Sequence, residues 1–231
     1  DEMARIFLFS SAVTFFAATL INPVGMFINR RLYAWNLTGK VRRYVNYFWL
    51  YLLVVSFIAA GLMIILVGAN LLTFHTGLVW LLFLIFGSLM ISTMNLTIIP
   101  GLNLLGYQAW FAYLTLATTA MSLVMAVLMV MLVKPGAEYW MVGLLLGQVL
   151  IGLVGVKVFY KRIKSPASEE EPEIGVKRNH VKLLWKFAYP ILIGAVLIWT
   201  QTQSYRFFME RSLGLVEVGL FVAGYGISAA I

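Results

Sequence analysis

Between Trp199 and Arg206 the chain reads Trp-Thr-Gln-Thr-Gln-Ser-Tyr-Arg, which puts three aliphatic hydroxyls, two amides and a guanidinium within about two helical turns. This polar stretch lies late in an apolar run, 184–208, and Arg206 falls about 18 residues, roughly 27 Å, beyond the run's basic end. Amides in hydrocarbon gain nothing without partners, so Gln201 and Gln203 beside an arginine argue for a lined polar site. A planar guanidinium suits a phosphate or carboxylate, which it can grip with two parallel hydrogen bonds. Two plainer roles compete: Arg206 can reach out to headgroups, or pair with Glu210 one turn on. The ligand-facing reading is favoured.

A second polar pattern runs down the first apolar segment. Ser11, Thr14, Ala18, Asn22, Gly25 and Asn29 follow steps of three and four residues. On an uninterrupted helix that is one face of small and polar residues, taken as opposite Phe15, Phe16 and Leu20. Pro23 beside it can kink the helix and free carbonyls. The face therefore reads either as the lining of a polar cavity or as a small-residue packing seam. Further along, Ser88, Ser92 and Asn95 share a face, as do Thr115, Thr118 and Ser122; hydroxyls there can bond back to their own helix. Gly143 and Gly147 form a GxxxG pair, the signature of close helix packing.

These residues must be carried by membrane helices. Four stretches, 48–69, 79–100, 109–133 and 139–156, hold no Asp, Glu, Lys or Arg, and each is about long enough to cross hydrocarbon. A soluble helix keeps one face polar, so 231 residues could not hide four such segments in a core. With 62% hydrophobic and 11% charged residues, the chain reads as an all-α polytopic membrane protein. Seven spans are expected, at about 6–28, 48–69, 79–100, 109–133, 139–160, 184–208 and 213–231. The apolar runs are continuous rather than alternating, which excludes a transmembrane barrel.

No cysteine is present, and His75 and His180 stand in different expected loops, so no metal or redox centre is expected. No GxSxG, P-loop or paired carboxylates appear. Neither an enzyme nor a bound cofactor is expected. The charge of +8 gathers at particular helix ends, as insertion demands, and does not call for nucleic acid. The first expected loop carries Arg30, Arg31, Lys40, Arg42 and Arg43, and the stretch 157–186 carries eight basic residues, whereas the alternate loops carry one or none. Positive-inside bias then puts the 161–183 loop in the cytoplasm and starts the chain outside. Trp and Tyr near the span ends, Tyr51 among them, read as interface anchors. The segment 161–183 is polar and contains Pro166 and Pro172, so it reads as a solvated linker between a five-span lobe, 1–160, and the start of a second lobe, 184–231. Acidic residues at the start argue against a signal peptide, and a start without Met together with an ending inside an apolar run reads as a piece of a longer protein.

The order Phe187-Ala-Tyr-Pro-Ile-Leu-Ile-Gly194, Trp199, Gln203-Ser-Tyr-Arg206, then Leu213-Gly-Leu-Val-Glu-Val-Gly-Leu-Phe-Val-Ala-Gly-Tyr225 resembles bacterial polysaccharide flippases of the Wzx type. These belong to the multidrug/oligosaccharidyl-lipid/polysaccharide exporter superfamily. Gly25 with Asn29-Arg30-Arg31, and Leu104-Leu-Gly-Tyr-Gln108, are similar to its second span and one of its inner loops. The family often carries Asp directly before the arginine; here that residue is Tyr205. The resemblance covers the whole chain as about spans two to eight of a twelve- to fourteen-span protein. It implies a two-lobe helical bundle working by alternating access in the bacterial inner membrane. Its substrate would be an undecaprenyl-pyrophosphate-linked oligosaccharide, with the polymerase and glycosyltransferases of the same pathway as partners. Arg206, Gln203, Asn22, Thr14, Ser11, Asn29 and Asn95 would line the cavity, with Arg30 and Arg31 at its cytoplasmic mouth. A cation-coupled multidrug antiporter and a lipid II flippase are the alternatives within the fold, and a membrane glycosyltransferase is the alternative outside it.

Overall fold

In the computed structural model of the chain, residues 2–69, 78–163 and 176–229 are described, and their regular structure is entirely helical. Span one is continuous from α1 (Glu2–Phe16) through a π turn (Ala17–Ile21) into α2 (Asn22–Leu37). It is followed by α3 (Val41–Gly68) and α4 (Leu78–Gly87), then a second π turn (Ser88–Ser92) leading into α5 (Thr93–Leu104). After these come α6 (Gln108–Leu132), α7 (Ala137–Arg162), α8 (Val176–Leu213) and α9 (Leu215–Ala229). Among the described residues six helices are long and apolar enough to cross a membrane, against the seven spans expected. The seventh, α9, has 15 residues, and the end of its expected range, 230–231, lies outside the described residues.

The helices outrun the hydrocarbon-length segments read from hydropathy. Arg30, Arg31, Arg42 and Arg43 are helical, and the first expected loop shrinks to a turn, Thr38-Gly39-Lys40. Helix α8 begins at Val176, inside the stretch expected as linker, and α7 runs to Arg162; of that stretch, 164–175 lies outside the described residues. Hydropathy marks where a helix leaves lipid, whereas the backbone goes on bonding to itself until a residue stops it. Gly39 (φ 70°) and Gly214 (φ 98°) are such stops, since the left-handed conformation is cheap only without a Cβ.

Packing concentrates in α1 to α7. Phe16, Ile21, Leu52, Met63, Leu84, Leu89, Leu102 and Phe159 belong to one buried cluster. Helices α6 and α7 touch backbone to backbone: a Cβ on Gly143 or Gly147 would come within 2.4 Å of the Ala126 Cα or 2.3 Å of the Ser122 Cα. The GxxxG pair is thus a packing face. Helix α8 runs antiparallel along span one, with Trp199 against Phe15 and Phe187 against Phe27. Ala4, Val218 and Val222 form a separate small cluster joining α1 to α9.

Candidate functional site

A π turn changes the course of the first-span face beyond Ile21. Pro23 has no N–H and cannot bond back one helical turn, so the ladder widens before it. The Asn22 N–H reaches the Ala17 carbonyl, five residues back, and the Tyr51 hydroxyl donates to the carbonyl of Leu20. Tyr51 is therefore a partner of the widened turn as well as an aromatic near a span end. A π turn holds about one residue more than an α turn, so everything beyond it is rotated by about one residue step. The stripe breaks on both sides of that turn. Ser11 is fully buried and Thr14 is exposed; Asn22 is exposed, Gly25 is buried against Thr97, and Asn29 is half-buried. The Oδ1 of Asn29 is buried without a hydrogen-bond partner. Phe15 does not lie opposite Ser11. It lies four residues on, along the same side, with its ring 4.9 Å from that of Trp199.

Arg206 reaches across to Ser11. Its Nη1 donates to the Ser11 Oγ at 2.8 Å, and its guanidinium carbon stands 5.2 Å from the Phe7 ring centre and 5.8 Å from that of Tyr205. These partners are neutral, and a guanidinium over an aromatic face is held by the ring quadrupole. Tyr205 offers a ring and a hydroxyl 3.5 Å from the Arg206 Nε. Gln203 joins the same group, its Oε1 lying 3.0 Å from the Ser11 Oγ. A hydroxyl has one proton, so Ser11 donates either to Gln203 or to the Phe7 carbonyl at 2.8 Å, while accepting from Arg206. The Trp199 indole N–H donates to the Ser11 carbonyl at 2.8 Å. Three α8 residues therefore converge on one residue of span one. Gln201, by contrast, is exposed.

Asn95 belongs elsewhere. It is 8% exposed, and its Nδ2 donates to the Gln148 carbonyl at 3.0 Å. Ser92, the last residue of the second π turn, donates to the Gln148 Oε1 at 2.6 Å. Gly152 leaves the room for Asn95, since a Cβ there would meet its Oδ1 at 2.6 Å. Asn95 thus clamps α5 to α7 inside the packing and does not join Arg206. Gln148 is absent from the residues singled out by sequence, although its signal is plain: it is the single amide in the charge-free stretch 139–156.

Arg30 and Arg31 lie over Phe187 and Phe27, at 4.8 and 5.0 Å from the ring centres, where α2 passes α8. Nearby basic ends use the same device. Arg42 stands over Tyr160, and Arg162 over Tyr107. Each ring covers one face of a guanidinium and leaves its edge N–H groups available to headgroups or anions. His75 lies outside the described residues, as does the side chain of His180.

The polar residues expected as one cavity lining thus divide into an Arg206–Ser11–Gln203 group, Asn95 clamped to Gln148 elsewhere, exposed Thr14 and Asn22, and half-buried Asn29. Comparison with family models, curated proteins and solved structures found no match.

Proposed function

We propose that this chain forms part of a flippase that moves an undecaprenyl-pyrophosphate-linked oligosaccharide across the bacterial inner membrane, by alternating access of two helical lobes. The observation that carries the reading is Arg206: a permanent cation inside an apolar helix, held among the described residues by the Ser11 hydroxyl, the Tyr205 hydroxyl and the faces of the Phe7 and Tyr205 rings. A pyrophosphate oxygen is a stronger acceptor than any of these neutral partners. The amide of Gln203 and exposed Thr14 and Asn22 suit sugar hydroxyls. Arg30 and Arg31 would meet the anionic headgroup at the cytoplasmic mouth, where their guanidinium edges are open. The order of short motifs around Phe187–Tyr225, read as a resemblance, supports the same class.

The test is complementation of a flippase-null strain by the intact protein, with expression followed by immunoblot. Arg206→Ala is expected to insert normally and abolish polymer export, and Arg206→Lys to restore it only in part, because Lys lacks the bidentate fork. Arg211, which is exposed, should tolerate Ala. Full export by Arg206→Ala would remove the observation that carries the reading.

A further inference from the structure

We infer that Ser11 is the catch of a latch joining the ends of span one and α8, and that an anion drawing Arg206 away opens it. The inference rests on the anion-binding reading of Arg206 and adds how occupancy of that site would be felt by the helices.

Helix α8 is thinly held. None of its most apolar 18-residue window is buried, against 44% for span one and 61% for α4–α5. In lipid, surrounding tails are as apolar as a leucine, so burial gives helices little reason to stay together. What remains is directional bonding. At one end of the α8–span one seam, the contacts are ring on ring and cation on ring: Phe27 with Phe187, and Arg30 over Phe187. Such contacts tolerate sliding and tilting. At the other end Ser11 gathers hydrogen bonds with Trp199, Gln203 and Arg206, using both its hydroxyl and its carbonyl. The seam is therefore pinned at the Ser11 end and loose at the Phe187 end. The neighbouring junction to α9 is a small apolar cluster, Ala4, Val218 and Val222 with Phe7, Met209 and Leu215 packed against them, whose contacts lipid can replace.

The Ser11 hydroxyl occupies the place an anion's oxygen would take on the Arg206 Nη1. A neutral hydroxyl is the weaker acceptor, so a phosphate oxygen displaces it. Ser11 then loses the guanidinium, and one arm of the latch is undone. Ser11 is a positioning residue, acting through Arg206.

Phe15 is the natural reporter, because it lies in the seam against Trp199 but takes no part in the hydrogen bonds. A Phe15→Cys variant of the intact protein in lipid nanodiscs is labelled with a small methanethiosulfonate reagent, with and without inorganic pyrophosphate. Adding Ser11→Ala should speed labelling about three- to tenfold, the range expected for losing one or two interhelical hydrogen bonds in a membrane. Pyrophosphate should speed it by a similar factor in the Ser11 protein and have no effect once Arg206→Ala is added. A Phe27→Cys reporter at the loose end should respond to neither. Equal rates with Ser11 and Ser11→Ala would overturn the latch, and a rate indifferent to pyrophosphate would overturn its release by anions. Should Phe15→Cys not accumulate, Phe207→Cys, whose ring lies 6.0 Å from Trp199, reports from the other side. The export assay of Arg206→Ala stands apart. Lost export with unchanged labelling sinks the latch alone, whereas intact export with accelerated labelling sinks the transport reading alone.

Discussion

Two asparagines that look equivalent in the chain have different surroundings, and mutation should separate them. The Asn95 amide is buried and bonds the backbone of α7, so Asn95→Ala removes an interhelical hydrogen bond and leaves a gap beside Gly152. The expected cost is about 1–2 kcal/mol, read as a lower melting temperature in detergent. Asn22 is exposed, and its backbone N–H, not its side chain, closes the π turn. Asn22→Leu should therefore leave the melting temperature unchanged. If Asn22 meets the glycan, the same variant loses export at normal expression. Stability tracks Asn95 and transport tracks Asn22; the opposite assignment in paired melting and complementation assays would refute both.

At the scale of the helix, glycines decide which elements can touch. The contact of α6 with α7 has no space for a methyl group at Gly147, so Gly147→Ala must push the helices apart. The cost should be about 1–3 kcal/mol, as for other overpacked sites. Gly61, in the middle of α3, has open space for 4 Å around the point where a methyl group would sit. Gly61→Ala should therefore be neutral or stabilising by up to about 1 kcal/mol through helix propensity. A melting comparison of the two variants tests the packing directly, since both change the same atoms in a helix interior. The π turns belong to this scale as well. Pro23 marks the first, yet neither composition nor periodicity says that the chain answers proline with a wider turn rather than a kink.

For the whole molecule, the charge pattern makes a prediction about sidedness. Arg30, Arg31, Arg42 and Arg162 all sit with aromatic rings at helix ends, and the Tyr160 hydroxyl donates to Asn46 across α3 and α7 at that end. Trp80 and Tyr139 meet at the opposite end of the bundle, with ring centres 6.0 Å apart. If the basic end is cytoplasmic, an impermeant maleimide applied to whole cells should label Lys134→Cys and spare Thr38→Cys, both positions being exposed turns. The chain has no native cysteine to interfere. The reverse labelling would invert the orientation and place Arg206 toward the cytoplasm.

Hydropathy and charge by themselves determined that this is a helical chain with several membrane-length segments, and which ends of those segments share a side. These are properties of one helix against its solvent, and each can be evaluated from a window of the chain. Helix ends were less legible, because the backbone bonds on past the lipid boundary, as Arg30 and Arg162 show. Only the tertiary structure decided which polar residues meet. The regular spacing from Ser11 to Asn29 describes one face only while the helix keeps a constant period, and the turn before Pro23 breaks that period. The pairing of Arg206 with Ser11, 195 positions apart, depends on α8 lying antiparallel along span one. No local property of either segment encodes that arrangement; it comes from which helix faces close against one another.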